Sequence, residues 1–231
     1  MTNAAATASE PRHERGLHRM RATHSYWAVL GTIFVAFFLA ALLPDAPWAT
    51  SVVVLVLGAT LLIAIWTAGW GIAERRGASV VATAGVTAAA VNIFWQGETL
   101  TVLLGILAGV LIVAVAVVVA AGALAQQEVN SRSVAGAICV YVLFGMLFMF
   151  LYTVLATLNS TPFFAQGTDG TRALRLYFSY VTLATLGYGD YTPAGNLGHV
   201  LALVEALVGQ LYLVTVVALL VSRIGPRGRL D

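Results

Sequence analysis

The run TLGYGD at residues 185–190 combines backbone oxygens, a hydroxyl and two glycines in a pattern that suits a dehydrated cation. Gly187 and Gly189 are two residues apart, and glycine adopts left-handed backbone conformations without steric cost. A backbone that alternates between left- and right-handed conformations turns successive carbonyl oxygens towards one axis, where they can replace a hydration shell. The oxygens would come from Thr185, with its hydroxyl, and from Leu186, Gly187 and Tyr188. Because one chain supplies only one side of each oxygen ring, several copies must meet around the axis.

The composition is that of an integral membrane protein. Of the 231 residues, 60% are hydrophobic and only 10% are charged, whereas about a quarter are charged in soluble domains. The single cysteine, Cys139, lies in an apolar segment, which argues against disulfides and cysteine-based metal sites. The sequence contains no phosphate-binding loop, catalytic triad or metal-ligand cluster. We therefore expect no enzyme activity, no organic cofactor and no nucleic-acid partner.

Six apolar segments are each long enough to cross a bilayer as a helix, for which about 20 residues suffice. They cover residues 26–43, 49–71, 78–95, 99–123, 134–157 and 197–222. The third is the weakest, because alanine, threonine and glycine dominate it. With six spans, all arginines except Arg172 and Arg175 fall on one side, the cytoplasm by the positive-inside rule. We expect a multi-pass protein of a bacterial inner membrane with both termini in the cytoplasm and no removable signal peptide.

The connection between the last two spans contains the glycine run and a short helix. Residues 171–183 predict a helix that begins at Asp169 or Thr171 as its cap and is too short to span. A helix that enters halfway and a loop that returns form a re-entrant element. Such a backbone is tolerated at membrane depth only where it is buried in protein or lines a water-filled cavity. We therefore expect this loop to line a pathway.

The run TLGYGD, preceded by Thr182 and followed by Pro193, resembles the signature filter of the potassium-channel superfamily, and residues 134–223 resemble that family's pore domain. The resemblance implies an all-α membrane protein with a re-entrant pore helix and a selectivity-filter loop between helices 5 and 6. It also implies a homotetramer. The filter residues, which would bind potassium ions, would be Thr185, Leu186, Gly187, Tyr188 and Gly189. Tyr188 favours potassium, because relatives that conduct sodium equally well usually replace that tyrosine.

The resemblance assigns supporting roles to residues around the filter, and here they depart from the usual pattern. Leu186 stands where valine or isoleucine is usual, and Ala184 replaces a second threonine. Tyr177 and Phe178 take the place of a tryptophan-rich aromatic cuff. Some bacterial members have a glutamate at position 181 that pairs with the filter aspartate. The expected filter supports are Asp190, Thr182, Tyr177, Phe178 and Val181, with Asp190 lacking the glutamate partner.

The last span contains a glycine and a carboxylate at membrane depth. Gly209 is interpreted either as a hinge for opening a gate or as a site of close helix packing. Glu205 is costly at such depth and must face protein or water; we expect it to bond to Ser179 or Thr182, in a structural or a proton-sensing role. An apolar cavity lining can gate by dewetting. The expected cavity-lining residues are Gln210, Leu213, Val214 and Val217.

Four helices before a pore domain occupy the position of a voltage sensor. Gating charges supply about 2.3 kcal/mol per elementary charge per 100 mV, but the fourth segment contains no basic residue. The bundle could instead be a scaffold, a unit responsive to lipid or tension, or a differently folded bundle. The polar composition of residues 1–25 predicts a disordered cytoplasmic N-terminus. The resemblance divides the rest of the chain into a four-helix bundle (26–125), a pore domain (133–223) and a short cytoplasmic tail (224–231).

The predicted function is passive, potassium-selective conduction through a homotetrameric pore that is not classically voltage-gated, with membrane lipid as a further partner. One alternative is a potassium transporter subunit, although such transporters carry four degenerate filter loops in one chain. A second is a poorly selective cation channel, against which Tyr188 argues. A membrane enzyme or sensor within residues 1–125 would need polar catalytic residues at depth, and these are essentially absent.

Overall fold

A computed structural model describes residues 12–68, 79–80, 83–85, 87, 98–124 and 131–223. Within these ranges the chain is all-helical, and the pairing outside helices is limited to two isolated bridges of Phe164, with Thr168 and with Pro193. The third predicted span, 78–95, lies outside the described residues except for short helical pieces. The predicted tail at 224–231 also lies outside them.

Six helices are described, and four of them could cross a membrane. They are α1 Arg12–Leu42, α2 Pro47–Ala68, α3 Glu98–Leu124, α4 Ser131–Leu158, α5 Arg172–Leu183 and α6 Asn196–Arg223. By length and composition, α2, α3, α4 and α6 are candidate membrane spans, in agreement with the second, fourth, fifth and sixth predicted segments. The apolar part of α1, Tyr26–Leu42, is shorter. Six spans were predicted, and four are found in the described part of the chain.

Helix α1 begins at Arg12, inside the N-terminal stretch that the composition predicts to be disordered. Arginine, glutamate, leucine, methionine and alanine all favour helix, and they dominate residues 12–22. The helix continues through Thr23, His24 and Ser25 into the apolar segment at Tyr26. Residues 12–25 of the polar stretch therefore belong to the first helix.

Helices α1 to α4 pack around one apolar core. Among its fully buried side chains are Ile33, Leu57, Leu111, Leu143 and Met146, one or more from each helix. The same core includes Leu176 of α5. The helices that precede the predicted pore domain thus share their buried surface with α4 and α5 of the same chain.

Two glycines let α5 approach its neighbours closely. A Cβ on Gly145 of α4 would lie 2.5 Å from Cζ of Tyr180, so the ring of Tyr180 occupies the space that a side chain would need. The Tyr180 hydroxyl then donates a hydrogen bond of 2.5 Å to the carbonyl of Val142. On the other side, Gly209 of α6 faces the last residue of α5, Leu183. The short helix is held between α4 and α6 at these two points.

Arg172, the first residue of α5, joins that helix to the end of α1. Its side chain is buried, and its guanidinium donates to the carbonyls of Ala40 (3.2 Å), Leu43 (3.1 Å) and Pro44 (2.9 Å). Its backbone N–H donates to both carboxylate oxygens of Asp45, at 3.0 and 2.9 Å. The guanidinium satisfies carbonyls that the end of a helix leaves without partners. We call this set of contacts the Arg172 clasp.

Candidate functional site

The short helix α5 begins and ends at residues whose conformation explains its length. Thr171 is extended, with φ −80° and ψ 167°, and its hydroxyl accepts a hydrogen bond of 3.1 Å from the N–H of Leu174. Thr171 is therefore the N-cap. Asp169, the other predicted cap, accepts instead from the N–H of Phe163 at 2.9 Å. The helix stops after Leu183, and two residues later the backbone of Thr185 has a positive φ.

The loop after α5, residues 184–190, has left-handed backbone at alternate positions; we call it the glycine loop. The φ angles are +56° at Thr185, +56° at Gly187 and +75° at Gly189, and neither Leu186 nor Tyr188 has a positive φ. In the described part of the chain Thr185 is the only residue other than glycine with a positive φ. This conformation costs a residue with a Cβ about 1–2 kcal/mol. The left-handed conformation therefore occurs at every second residue, at Thr185 as well as at Gly187 and Gly189.

The inner end of the glycine loop is fixed to the last turn of α5. The N–H of Thr185 donates to the carbonyl of Thr182, and the N–H of Leu186 donates to that of Val181, both at 2.9 Å. Thr182 and Val181 thus support the loop through their backbone carbonyls. The side chain of Val181 is buried.

The outer end of the loop is tied down by two side chains. The hydroxyl of Tyr177 donates to Oδ2 of Asp190 at 2.8 Å, and this hydrogen bond raises the pKa of Tyr177 above its ordinary value. The amide of Gln166 donates to the carbonyl of Asp190 at 2.9 Å and accepts from the N–H of Thr192 at 3.3 Å. Asp190 therefore has Tyr177 as a partner in place of the glutamate that some relatives use. Sequence reasoning missed Gln166, because nothing in its flanking pattern marks it.

Phe178 lies behind the loop in an aromatic cluster. Its ring centroid is 5.1 Å from that of Tyr152 and 5.4 Å from that of Phe164, both in edge-to-face arrangements. Phe163 and Phe148 complete the cluster. Of the two residues in the predicted cuff position, Tyr177 contacts the loop and Phe178 packs into this core.

Glu205 is fully buried where α4, α5 and α6 meet. The Tyr152 hydroxyl donates to its Oε2 at 2.5 Å, and the Ser179 hydroxyl makes a very short hydrogen bond to Oε1. The same Ser179 hydroxyl also lies 2.7 Å from the carbonyl of Gly145. Of the two expected partners, Ser179 contacts Glu205 and Thr182 does not. Tyr152 is a further partner that the sequence did not indicate.

Gly209 is a close-contact position. A Cβ there would clash with the backbone carbonyl of Leu183 and would lie 2.9 Å from Cδ1 of the same residue. A backbone oxygen cannot move aside as a flexible side chain can, so only glycine allows α6 to approach α5 this closely. This contact establishes the packing role that the sequence left open, and the hinge role stays a prediction.

The rest of α6 is poorly covered within one chain. Only 11% of its candidate span is buried, against 61% for α4. Gln210, Leu213 and Val214, three of the four predicted cavity-lining residues, are exposed. The side chain of the fourth, Val217, lies outside the described residues. The glycine loop is exposed as well, and the exposed fraction of Tyr188 is 66%.

Residues 136–225 match the family model described as "Ion channel". No curated protein matches the chain, and no solved structure does. The matched range contains α5, the glycine loop, Glu205 and Gly209. The match supports an ion channel, and together with the four apolar helices it indicates a multi-pass membrane protein.

Proposed function

We propose that the protein is a potassium-selective channel in which four copies place their glycine loops around one pore. The observation that carries this proposal is the left-handed backbone at Thr185, Gly187 and Gly189. With every second residue left-handed, successive carbonyls of the loop turn towards one side, and a column of carbonyls suits a dehydrated potassium ion. The ion sites would lie at residues 185–188, with potassium as the transported substrate.

The exposure of a single chain supports assembly around an axis. Large apolar side chains of α6 lie on its surface, with exposed fractions of 61% for Leu203 and 64% for Leu211. Exposed apolar area of this extent marks a protein or lipid interface. Each chain carries one glycine loop, so a complete ring of oxygens requires further copies. A homotetramer would cover the exposed apolar side chains of α6 and would complete the ring of oxygens.

Opening by classical voltage sensing is not part of the proposal. The helix in the position of a voltage-sensing segment, α3, contains no basic residue, and its one charged residue is Glu98 at its start. Moving α3 through the membrane field would therefore transfer no arginine or lysine charge. We propose that opening depends on α6 and the glycine loop, with both termini of each subunit in the cytoplasm.

The test is flux from liposomes that contain the purified full-length protein. We expect potassium to pass much faster than sodium and barium to block the flux. Gly187→Ala would put a Cβ on a residue with φ of +56° and should abolish selective flux. Gly195→Ala is the matched control, because Gly195 lies in the same connection, has no positive φ and faces open space.

Three outcomes would contradict the proposal. Equal potassium and sodium flux would favour a poorly selective cation channel, with Leu186 and Ala184 as the first positions to restore to the usual pattern. Flux from a monomer would contradict the shared ring. Equal behaviour of Gly187→Ala and Gly195→Ala would remove the glycine loop from the pathway.

A further inference from the structure

A polar pocket of about 300 Å³ opens where α4 ends and α5 begins. Its polar lining comes from three helices and one connection: Asp45, Thr50, Thr153, Thr157, Arg172 and Arg175. The lining contains two guanidinium groups and one carboxylate. Asp169 is not part of the lining; its carboxylate accepts from the N–H of Phe163 and also acts electrostatically on Arg175.

Hydrogen bonds from only part of its guanidinium group hold Arg175 in place. Its Nε donates to the Thr153 hydroxyl at 2.9 Å, and its Nη1 donates to the carbonyls of Asp169 (2.9 Å) and Gly170 (2.7 Å). Its Nη2 makes no hydrogen bond to any residue that the structure describes. The side chain is thus oriented by three acceptors and retains donors for a fourth. A fixed guanidinium suits phosphate, which it can bind through two parallel hydrogen bonds.

An apolar groove of about 380 Å³ continues from this pocket between α3 and α4. Gly105 and Phe150 line both spaces, so the two are adjacent. The groove follows α3 from Gly105 to Val113, a helical rise of about 12 Å. It is bordered by exposed apolar side chains, among them Ile106 and Val110. A Cβ on Gly105 would meet no atom within 4 Å, so the glycine leaves the groove open at its junction with the pocket.

We propose that this pocket and groove together bind one phospholipid with an anionic headgroup. The phosphate would lie against the Nη2 group of Arg175, because the Thr153 and Thr157 hydroxyls donate to the carbonyls of Met149 and Thr153. An acyl chain would follow the groove along α3. The order of polarity supports a lipid: the charged pocket lies at the end of the bundle, and the apolar groove runs from it along two candidate membrane spans. A free anion would leave the groove without an occupant, and a plain apolar chain would leave the guanidinium donors without an acceptor.

The site is separate from the glycine loop, and this inference does not depend on potassium selectivity. It bears on α5 nonetheless, because Arg172 and Arg175 are in the first turn of that helix. A headgroup in the pocket would add an acceptor beside both arginines. We therefore expect the bound lipid to raise the thermal unfolding midpoint of the protein.

Native mass spectrometry of the full-length, delipidated protein tests the proposal. The titrants are phosphatidylglycerol, phosphatidylcholine with the same acyl chains, and inorganic phosphate. We expect phosphatidylglycerol to bind at least about tenfold more tightly than phosphatidylcholine, a difference of about 1.4 kcal/mol. Arg175→Gln should abolish this preference. Equal affinity for the two lipids would overturn the proposal, and so would full displacement of phosphatidylglycerol by millimolar phosphate.

Gly105→Phe is the second variant, because Gly105 lines the groove and a Cβ at this position meets no atom within 4 Å. We expect it to lower the affinity for phosphatidylglycerol about tenfold. Gly31→Phe is the matched control, since Gly31 also lies on a helix and meets no atom within 4 Å but lines neither space. Unchanged lipid binding by Gly105→Phe would overturn the groove assignment even if Arg175→Gln failed to fold. A lower oligomer mass in Gly105→Phe would also overturn it, because the groove would then be an interface between subunits.

Discussion

The hydroxyl of Tyr152 donates a hydrogen bond of 2.5 Å to Oε2 of Glu205, and this bond joins α4 to α6 behind the helix that carries the glycine loop. The Ser179 hydroxyl is hydrogen-bonded to the other carboxyl oxygen, Oε1. A single buried acid therefore connects three helices. A buried carboxyl is tolerated at membrane depth only with partners of this kind.

Glu205→Gln should preserve the fold and Glu205→Ala should not. Glutamine keeps an oxygen that accepts from Tyr152, and its amide can donate to Ser179, whose hydroxyl can then donate to the Gly145 carbonyl. Alanine leaves the buried Tyr152 hydroxyl without its acceptor, at a cost of about 1–3 kcal/mol for an unsatisfied group, and opens a cavity between the three helices; Ser179 keeps the Gly145 carbonyl as an acceptor. Thermal unfolding in detergent measures the difference. Equal midpoints for the two variants would show that the carboxyl contacts contribute nothing to stability.

The variant Gly209→Ala distinguishes a packing role of Gly209 from a hinge role in α6. Because the new methyl would overlap the Leu183 carbonyl, α6 must move away from α5. Overpacking of this kind costs about 1–3 kcal/mol, so we expect a lower unfolding midpoint as well as reduced flux. Gly31→Ala, at an open helical position, should leave both unchanged. A variant with normal stability and altered opening would instead support the hinge.

Tyr177→Phe should loosen the outer end of the glycine loop. It removes the donor to Asp190 and leaves the ring. We expect a lower ratio of potassium to sodium flux, with the oligomer intact. The matched control is Tyr191→Phe, at a neighbouring tyrosine whose ring packs on Phe164. An unchanged flux ratio in Tyr177→Phe would show that the loop holds its shape without this bond.

The hydrogen bond between Tyr177 and Asp190 also predicts how the ratio of potassium to sodium flux responds to pH. The raised pKa of Tyr177 means that the bond is fully present below the ordinary tyrosine pKa of about 10 and is lost only as pH rises through the higher value. Selectivity should therefore stay constant from about pH 6 to about pH 9 as far as this bond determines it. Flux measured across that range in the wild type and in Tyr177→Phe checks the prediction. A change in that range shared by both proteins would have another origin, and one confined to the wild type would contradict the prediction.

Arg172→Lys should weaken the contact between α5 and the end of α1. A lysine has a point charge on a flexible stem and cannot reproduce the fork that reaches Ala40, Leu43 and Pro44. We expect faster amide hydrogen exchange at residues 40–46 and in the first turn of α5. Asp45→Asn keeps one acceptor for the Arg172 N–H and should have a smaller effect. Unchanged exchange in Arg172→Lys would mean that the clasp is not what holds these segments together.

Local patterns predicted the parts of the structure that depend on neighbours in sequence. Apolar segment length placed α2, α3, α4 and α6 within a few residues, and Thr171 was one of the two caps considered. Glycine spacing indicated the two left-handed residues, and the depth of Glu205 indicated a partner on α5. The left-handed conformation of Thr185 was not predicted, because a residue with a Cβ prefers negative φ.

Contacts between distant segments were not predictable. The charge pattern placed Arg172 and Arg175 on the outer side of the membrane but named no partner for them, and the carbonyls that bind Arg172 are 128–132 residues earlier. Gly145 had no distinguishing signal within an apolar helix until Tyr180 was placed over it. Tyr152 could not be paired with Glu205, because a helical pattern shows which residues share a face but not which helix lies opposite.

The contacts of the Arg172 clasp can form only late in the synthesis of the chain. A ribosome adds about 5–20 residues per second, and Arg172 follows Leu43 by 129 residues, so the arginine is made on the order of 10 s after the carbonyls it binds. Until then the Leu43 carbonyl needs water as its partner, because a backbone oxygen left dry is costly, whereas the Pro44 carbonyl also accepts from the N–H of Ala46 at 2.8 Å. The turn between α1 and α2 must therefore stay at the aqueous boundary during synthesis, and its Leu43 carbonyl exchanges water for the guanidinium only when the helix that precedes the glycine loop emerges.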